Sequence, residues 1–305
     1  TAGAYTIGIG GQATAYNTST STAAISFYIG PSSGTPWTVI QTKIASIEGS
    51  LGAIFGTLSS DTNNQPRFYK TFYGATNMKA IPENLFAGIS GAPADYMFDH
   101  TFSDCSGLTS IPSDLFAGIS GAPANFMFNN TFSDCSKLTS IPAGLFAGIS
   151  GAPARYMFNS TFYGCSGLTG AIPDGLFGNL TGAPAGSMFY STFNGCSGLT
   201  GAIPDGLFGN LTGAPASYMF YSTFHGCSGL TSIPENLFGN ISGTAQSSMF
   251  YQTFYNCTSL TGPSARINGQ YLYEIWPSAT SSQVGKMYYR ATGLSDYSSI
   301  PSAWK

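Results

Sequence analysis

The chain of 305 residues carries 10 Lys and Arg against 13 Asp and Glu, a formal net charge of −3, with 8% charged and 14% aromatic residues. This balance supplies no basic field to hold nucleic acid or an anionic membrane, and no apolar run approaches the roughly 18 residues of a membrane span. The surface must be built from Ser, Thr, Asn, Gly and Tyr, which hydrate without charge and can pack against another copy at little desolvation cost; self-association is favoured.

The chain opens at Thr1 without an initiator Met or a signal peptide, which points to a processed or excerpted form. Residues 1–43 alternate in AYTIGIG and AAISFYIG with Thr, Ser and Gly between, predicting a few strands that form a small β-rich N-terminal cap. From residue 44 to 265 a repeat takes over. Thr-Phe recurs at Thr71, Thr101, Thr131, Thr161, Thr192, Thr223 and Thr253, in steps of 30, 30, 30, 31, 31 and 30. Cysteines at 105, 135, 165, 196, 227 and 257 and methionines at 97, 127, 157, 188, 219 and 249 keep the same step. Ile44-Ala-Ser-Ile47 and Gln65-Pro66 read as an incomplete first coil, with Ala75 and Met78 in place of Cys and Leu.

Within one unit, Pro123 suits a first helical turn, and Met127, Phe128, Thr131, Phe132 and Cys135 recur at helical spacing, predicting a helix from about 123 to 135. Leu138-Thr-Ser-Ile141, ended by Pro142, predicts one short strand, and Pro142 to Phe146 a second helical turn. Gly88, Gly118 and Gly148 become Asn179, Asn210 and Asn240 in later units, as expected where a left-handed residue ends a helix. Such a unit cannot bury an apolar face alone, so units must stack with their strands in parallel, a ladder of roughly eight coils at about 4.8 Å each. Leu108, Leu138, Leu168, Leu199 and Leu230 then fill the interior, while Thr109, Thr139, Thr169, Thr200 and Thr231 line the outer sheet face. In two units LTSIP becomes LTGAIP, and the added residue at Gly170-Ala171 and Gly201-Ala202 predicts a bulge. Residues 266–305, with MYYRATGLSDYSSIPSAWK, are expected to form a shortened capping repeat.

The run FSDCSKLTSIP resembles the units of BspA-like bacterial leucine-rich-repeat surface proteins, with their Phe-x-x-Cys-x-x-Leu-x-x-Ile pattern, over roughly residues 65–301. The resemblance implies an α/β fold, a right-handed leucine-rich-repeat solenoid of 30–31-residue units with its strands on the concave side, secreted or carried on a bacterial cell surface and concerned with adhesion. It carries over no catalytic residue. The opening AGAYTIGIGG also resembles the last strand of small immunoglobulin-like bacterial surface modules.

Candidate chemistry is sparse. Six cysteines in a secreted chain admit disulfides, but one shared core-facing position favours free buried thiols, and a linear ladder does not converge on a metal. His100 and His225 occupy different phases without an acidic neighbour at a shared phase, so no catalytic residue, cofactor or metal is assigned and the chain is not expected to be an enzyme. Asp174, Asp205, Glu83 and Glu235 recur beside the short helix, where capping accounts for them. Asn17, Asn129, Asn159, Asn179, Asn210, Asn240 and Asn256 begin Asn-x-Ser/Thr triplets, three of which the helix-end turns explain.

Aromatics are the sharper signal. At 100° per residue, a helix that turns Met127, Thr131 and Cys135 inward turns positions 126, 129 and 133 outward. Those phases hold Tyr96, Phe126, Tyr156 and Tyr218; Tyr190, Tyr221 and Tyr251; and Tyr163 and Tyr255, an aromatic stripe expected on the convex face. It reads as an interface between copies or as tyrosines stacking from coil to coil. The leading expectation is an extracellular structural protein whose partners are copies of itself, assembled into a filament or surface layer through this stripe and the end caps. The alternative is a monomeric adhesin that binds host or matrix proteins or glycans on the concave Thr face.

Overall fold

The computed structural model describes residues 44–52, 67–177 and 179–305. The expected N-terminal cap, the immunoglobulin-like opening and Gln65-Pro66 lie outside the described residues. Successive units pair in parallel, each one coil beyond the last. The strands are β1 (Ser150–Gly151), β2 (Asn179–Gly182), β3 (Thr200–Ala202), β4 (Asn210–Gly213), β5 (Gly229–Ser232) and β6 (Asn240–Ile241). They fall into two ladders, a four-stranded sheet in the order β1-β2-β4-β6 and the pair β3-β5. Isolated parallel bridges such as Gly121↔Ile149 and Ala80↔Ser110 carry both ladders into earlier coils.

The β3-β5 ladder is the one the LTSIP segment predicts. Leu108, Leu138, Leu168, Leu199 and Leu230 are buried there, and the adjacent threonines are exposed. Its register shifts between Gly201 and Ala202, where Gly201 has φ 82°, so the extra residue of LTGAIP is a bulge. The four-stranded sheet corrects the sequence reading. Asn179, Asn210 and Asn240 start strands and have no positive φ, instead of ending helices. Gly118 and Gly148 also lack positive φ; a Cβ on either would fall on the carbonyl of Ile89 or Ile119 in the preceding coil. Close approach of two backbones, not a left-handed turn, excludes side chains there. Gly88 does take a positive φ, 86°.

The 123–135 segment is not an α-helix. It is a run of β-turns in which Phe126, Asn130 and Asp134 have φ of 56°, 52° and 58°. Alternate N–H groups close turns, as from Met127 to Ala124 and Thr131 to Phe128, while those between cross to the next coil, as from Phe128 to Met157 and Asn130 to Asn159. Each left-handed non-Gly residue costs about 1–2 kcal/mol, offset by satisfying every second N–H on a neighbouring coil. The Pro142–Phe146 stretch is likewise turns, with Leu145 N–H on Pro142.

The consequence is an inward set that repeats every four residues. Met127, Phe128, Thr131 and Phe132 are buried, and like rings stack from coil to coil: Phe98–Phe128 at 5.5 Å, Phe128–Phe158 at 5.4 Å and Phe102–Phe132 at 5.5 Å. A third ladder through Phe116, Phe146 and Phe177 tilts into the first, with Phe128–Phe146 at 4.5 Å. Such pairs add about 0.5–1.5 kcal/mol each to their burial.

The chain's C-terminal region closes the stack. The hairpin β7 (Arg266–Ile267) and β8 (Gln270–Tyr271) leads into α1 (Leu272–Ile275), α2 (Ser281–Val284) and a 3₁₀ turn at Ser302–Trp304. Trp276 Nε1 donates to the Gly243 carbonyl at 2.7 Å, and the Trp304 carbonyl accepts the Tyr288 N–H. At the other end Ile44 and Ile47 pack on the core, and Leu51 N–H donates to the Leu85 carbonyl. No described helix is long and apolar enough to cross a membrane.

Candidate interaction faces

Residues that leave the core do so in columns, because equivalent positions share a backbone conformation and are hydrogen-bonded one coil apart. Tyr96, Phe126 and Tyr156 form the first column, with φ of 62°, 56° and 57° and parallel rings at 4.7 and 4.5 Å. The next coil places Ser187 there, then Tyr218, which is 40% exposed. Tyr190, Tyr221 and Tyr251 form a second column, stacked at 4.5 and 5.2 Å. Tyr163, 41% exposed, and Tyr255 belong to a third, where Tyr255 meets His225 at 4.5 Å and Tyr289 at 4.8 Å. The single expected stripe is therefore three columns that step sideways along the stack. Asn129 and Ser133, assigned outward by the helical wheel, are buried, since the run has a period of four.

Stacking between coils and contact with another molecule are not exclusive. A stacked ring spends its faces on its neighbours and leaves its edge and hydroxyl outward. Burial and the adjacent Tyr221 raise the Tyr190 phenol above its ordinary pKa, so its hydroxyl stays protonated.

The threonine column is continuous, and several of its hydroxyls are engaged within the stack. Thr109, Thr139 and Thr169 each donate Oγ1 to the backbone carbonyl one coil back, at 3.0, 3.1 and 3.4 Å, and Thr261 does so to Thr231. Thr200 N–H likewise bonds Gly170. What faces outward is mainly methyl groups and acceptor lone pairs.

All six cysteines are free and buried, in line from coil to coil. Burial pushes the Cys105 thiol up to about 12 and holds Cys135, Cys165, Cys196 and Cys227 well above the usual range. Each donates to a phenylalanine carbonyl of the preceding coil, as Cys135 does to Phe102 at 3.2 Å. The repeated threonines do the same, Thr131 to Phe98 at 2.9 Å. Thr-Phe-x-x-Cys thus stitches coils together inside the core.

His100 has an acidic neighbour of its own, Asp99, at a phase it does not share with His225. Its left-handed backbone turns the ring back, and Nδ1 lies 2.5 Å from Asp99, whose carboxylate also accepts the Asn129 amide at 2.8 Å. Tyr69 and Tyr73 flank the imidazole at 6.3 and 6.4 Å. Burial lowers the pKa of His225. Among the described residues no three His, Cys, Asp or Glu converge to hold a metal.

Asp174 and Asp205 are exposed at the rim of a shallow groove of about 450 Å³ lined by Ala171, Ala202, Pro204 and Ser232. They open turns, so helix capping does not account for them; nor does it for Glu83 or Glu235, which pairs with Arg266 at 3.4 Å. Of the sequons, Asn129 is buried and its amide engaged, Asn256 Oδ1 is buried without a partner, Asn159 is half-buried, and Asn17 lies outside the described residues. Asn179, Asn210 and Asn240 stand exposed on strands, which removes the turn-based explanation for them.

No protein-family model matches the chain, and no significant relative is found among curated proteins. Comparison with solved structures finds a TLR13–ssRNA13 complex at 14% identity and TM-score 0.20, covering 72% of this chain and 34% of that one. The chain thus spans about a third of that protein's length. A second is a leucine-rich repeat protein from Bacteroides ovatus at 16% identity and TM-score 0.19, covering 75% of this chain and 84% of that one. The fold described above rests on the chain's own coil-to-coil ladders.

Proposed function

We propose that this chain is an extracellular structural protein of the leucine-rich-repeat kind, wound right-handedly, that assembles with copies of itself into a filament or surface layer through its outward aromatic columns. The observation that carries the reading is the Tyr190–Tyr221–Tyr251 stack, a preordered row of ring edges and hydroxyls in a chain with 8% charged residues. Preordered aromatics lose little entropy on contact, and aromatic residues are enriched at protein interfaces. The resemblance of FSDCSKLTSIP to bacterial surface repeats supports the extracellular setting.

Sedimentation at rising concentration, followed by negative-stain microscopy, tests it. Wild type should associate, and Tyr190→Ser, Tyr221→Ser and Tyr251→Ser together should leave monomers. A chain that remains monomeric at high concentration overturns the reading. The alternative, an adhesin using Thr109, Thr139, Thr169, Thr200 and Thr231, would then show as glycan or host-protein binding by the monomer; the engaged Thr hydroxyls make it the weaker of the two.

A further inference from the structure

Beside the tyrosine columns runs another, made of left-handed residues that end each turn run. From coil to coil it reads Gly74, Asp104, Asp134, Gly164, Gly195, Gly226, Asn256 and, at the far end, Arg290, with φ between 58° and 80°. Backbone bonds from Asp104 to Ser133, Asp134 to Tyr163, Gly164 to Asn194 and Gly195 to His225 show that these are equivalent positions. Asp104 and Asp134 make the column acidic towards one end, three glycines leave its middle without side chains, and Arg290 makes it basic at the other. The parallel column that holds His100 runs from Lys70 to Lys286 and so carries no such polarity; Lys286, Arg290 and Asp134 are all exposed.

Resting on the self-association proposed above, we infer that two copies pair face to face and antiparallel on this surface, about a two-fold axis through the Gly195 coil. From Asp104 to Arg290 there are six coil steps, three on either side of Gly195, or roughly 29 Å at about 4.8 Å per coil. An antiparallel copy therefore sets Asp104 opposite the partner's Arg290 while the bare glycines meet at the centre, with Tyr190 beside the axis. A parallel copy would set carboxylate against carboxylate and guanidinium against guanidinium. Asp104 already disfavours the charge of Asp134: burial first, and to a smaller extent Asp104, raises the Asp134 carboxyl. Lys70, one coil beyond the acidic end, lies over the Tyr69 and Tyr73 rings at 5.1 and 5.6 Å. Exposed ion pairs add little affinity each, but opposed ends fix register and orientation.

Introduced thiols test the geometry, since the six native ones are buried. Under a mild oxidant, Asn194→Cys, one residue from the axis, should form covalent dimers of itself. Asp104→Cys should not, but should cross-link to Arg290→Cys when the two are mixed. Reversing Asp104 and Asp134 to Lys should weaken wild-type-like pairing roughly tenfold. Mixing that variant with Lys286→Glu, Arg290→Glu should restore it. Self-linking of Asp104→Cys overturns the antiparallel arrangement. So does the absence of any cross-link in a wild type that sediments as a dimer, which leaves assembly through another face standing. A monomeric wild type overturns both this inference and the proposed function.

Discussion

The thiol of Cys165 donates to the carbonyl of Phe132, 3.0 Å away on the preceding coil, and that carbonyl also accepts the Cys135 N–H in its own turn. The cysteine is thus a buried donor between coils. Thiol reagents should not label the native chain and should count six thiols once it unfolds. Cys165→Ser should keep the bond, whereas Cys165→Ala should cost about 0.5–1.5 kcal/mol in denaturant melts. Rapid labelling of the native protein would contradict the buried ladder.

Leu168 is fully buried, and Phe158 is wedged between Phe128 and Phe189 with Phe146 and Phe177 tilted against it. Leu168→Ala should cost about 2–5 kcal/mol and Phe158→Ala about 3–5. Because each coil supports its neighbours, hydrogen exchange should quicken on both sides of the substituted coil. Unchanged unfolding midpoints would place these residues outside the core.

Two glycines should respond differently to Ala. At Gly175, with φ 62° and open space around it, the change should cost about 1–2 kcal/mol of backbone strain. At Gly118 the new methyl meets the Ile89 backbone, which no rotamer relieves, so the loss should exceed the roughly 1–3 kcal/mol of ordinary overpacking. Thermal melts of the pair would show the reverse order if coil spacing were not set at Gly118.

Burial raises the Asp134 carboxyl in the folded chain, partly opposed by the Ser133 hydrogen bond and aided to a smaller extent by Asp104. Folding therefore favours the protonated form. The destabilisation is fully present above the folded pKa and fades as pH falls towards the ordinary value of 3.8. At concentrations where the chain is monomeric, Asp134→Asn should raise stability at pH 7 and lose that advantage near pH 4. Urea melts at both pH values check this, and an unchanged difference would contradict it.

The helix at 123–135 fails for a reason partly visible in MFNNTFSDC. Its inward pairs, Met127-Phe128 and Thr131-Phe132, repeat every four residues, and over nine residues that is hard to separate from 3.6. Asn130 and Asp134 are residue types that tolerate a left-handed backbone, but Tyr96 and Phe126, in the same conformation, give no such sign. The aromatic columns suffered the same blur. Their membership was legible, while the gap at Ser187 and the burial of Asn129 needed the true period.

Repetition every 30 or 31 residues determined by itself that like would stack on like: the thiols in line, the Leu inside, the Thr outside, the bulge at Gly201. Any near-identical units joined end to end meet the same environment once they pair in parallel. Where each backbone N–H goes was decided by the tertiary structure alone. An amide such as that of Phe128 can bond within its own segment or across to Met157, and the second acceptor exists only after the next coil is in place.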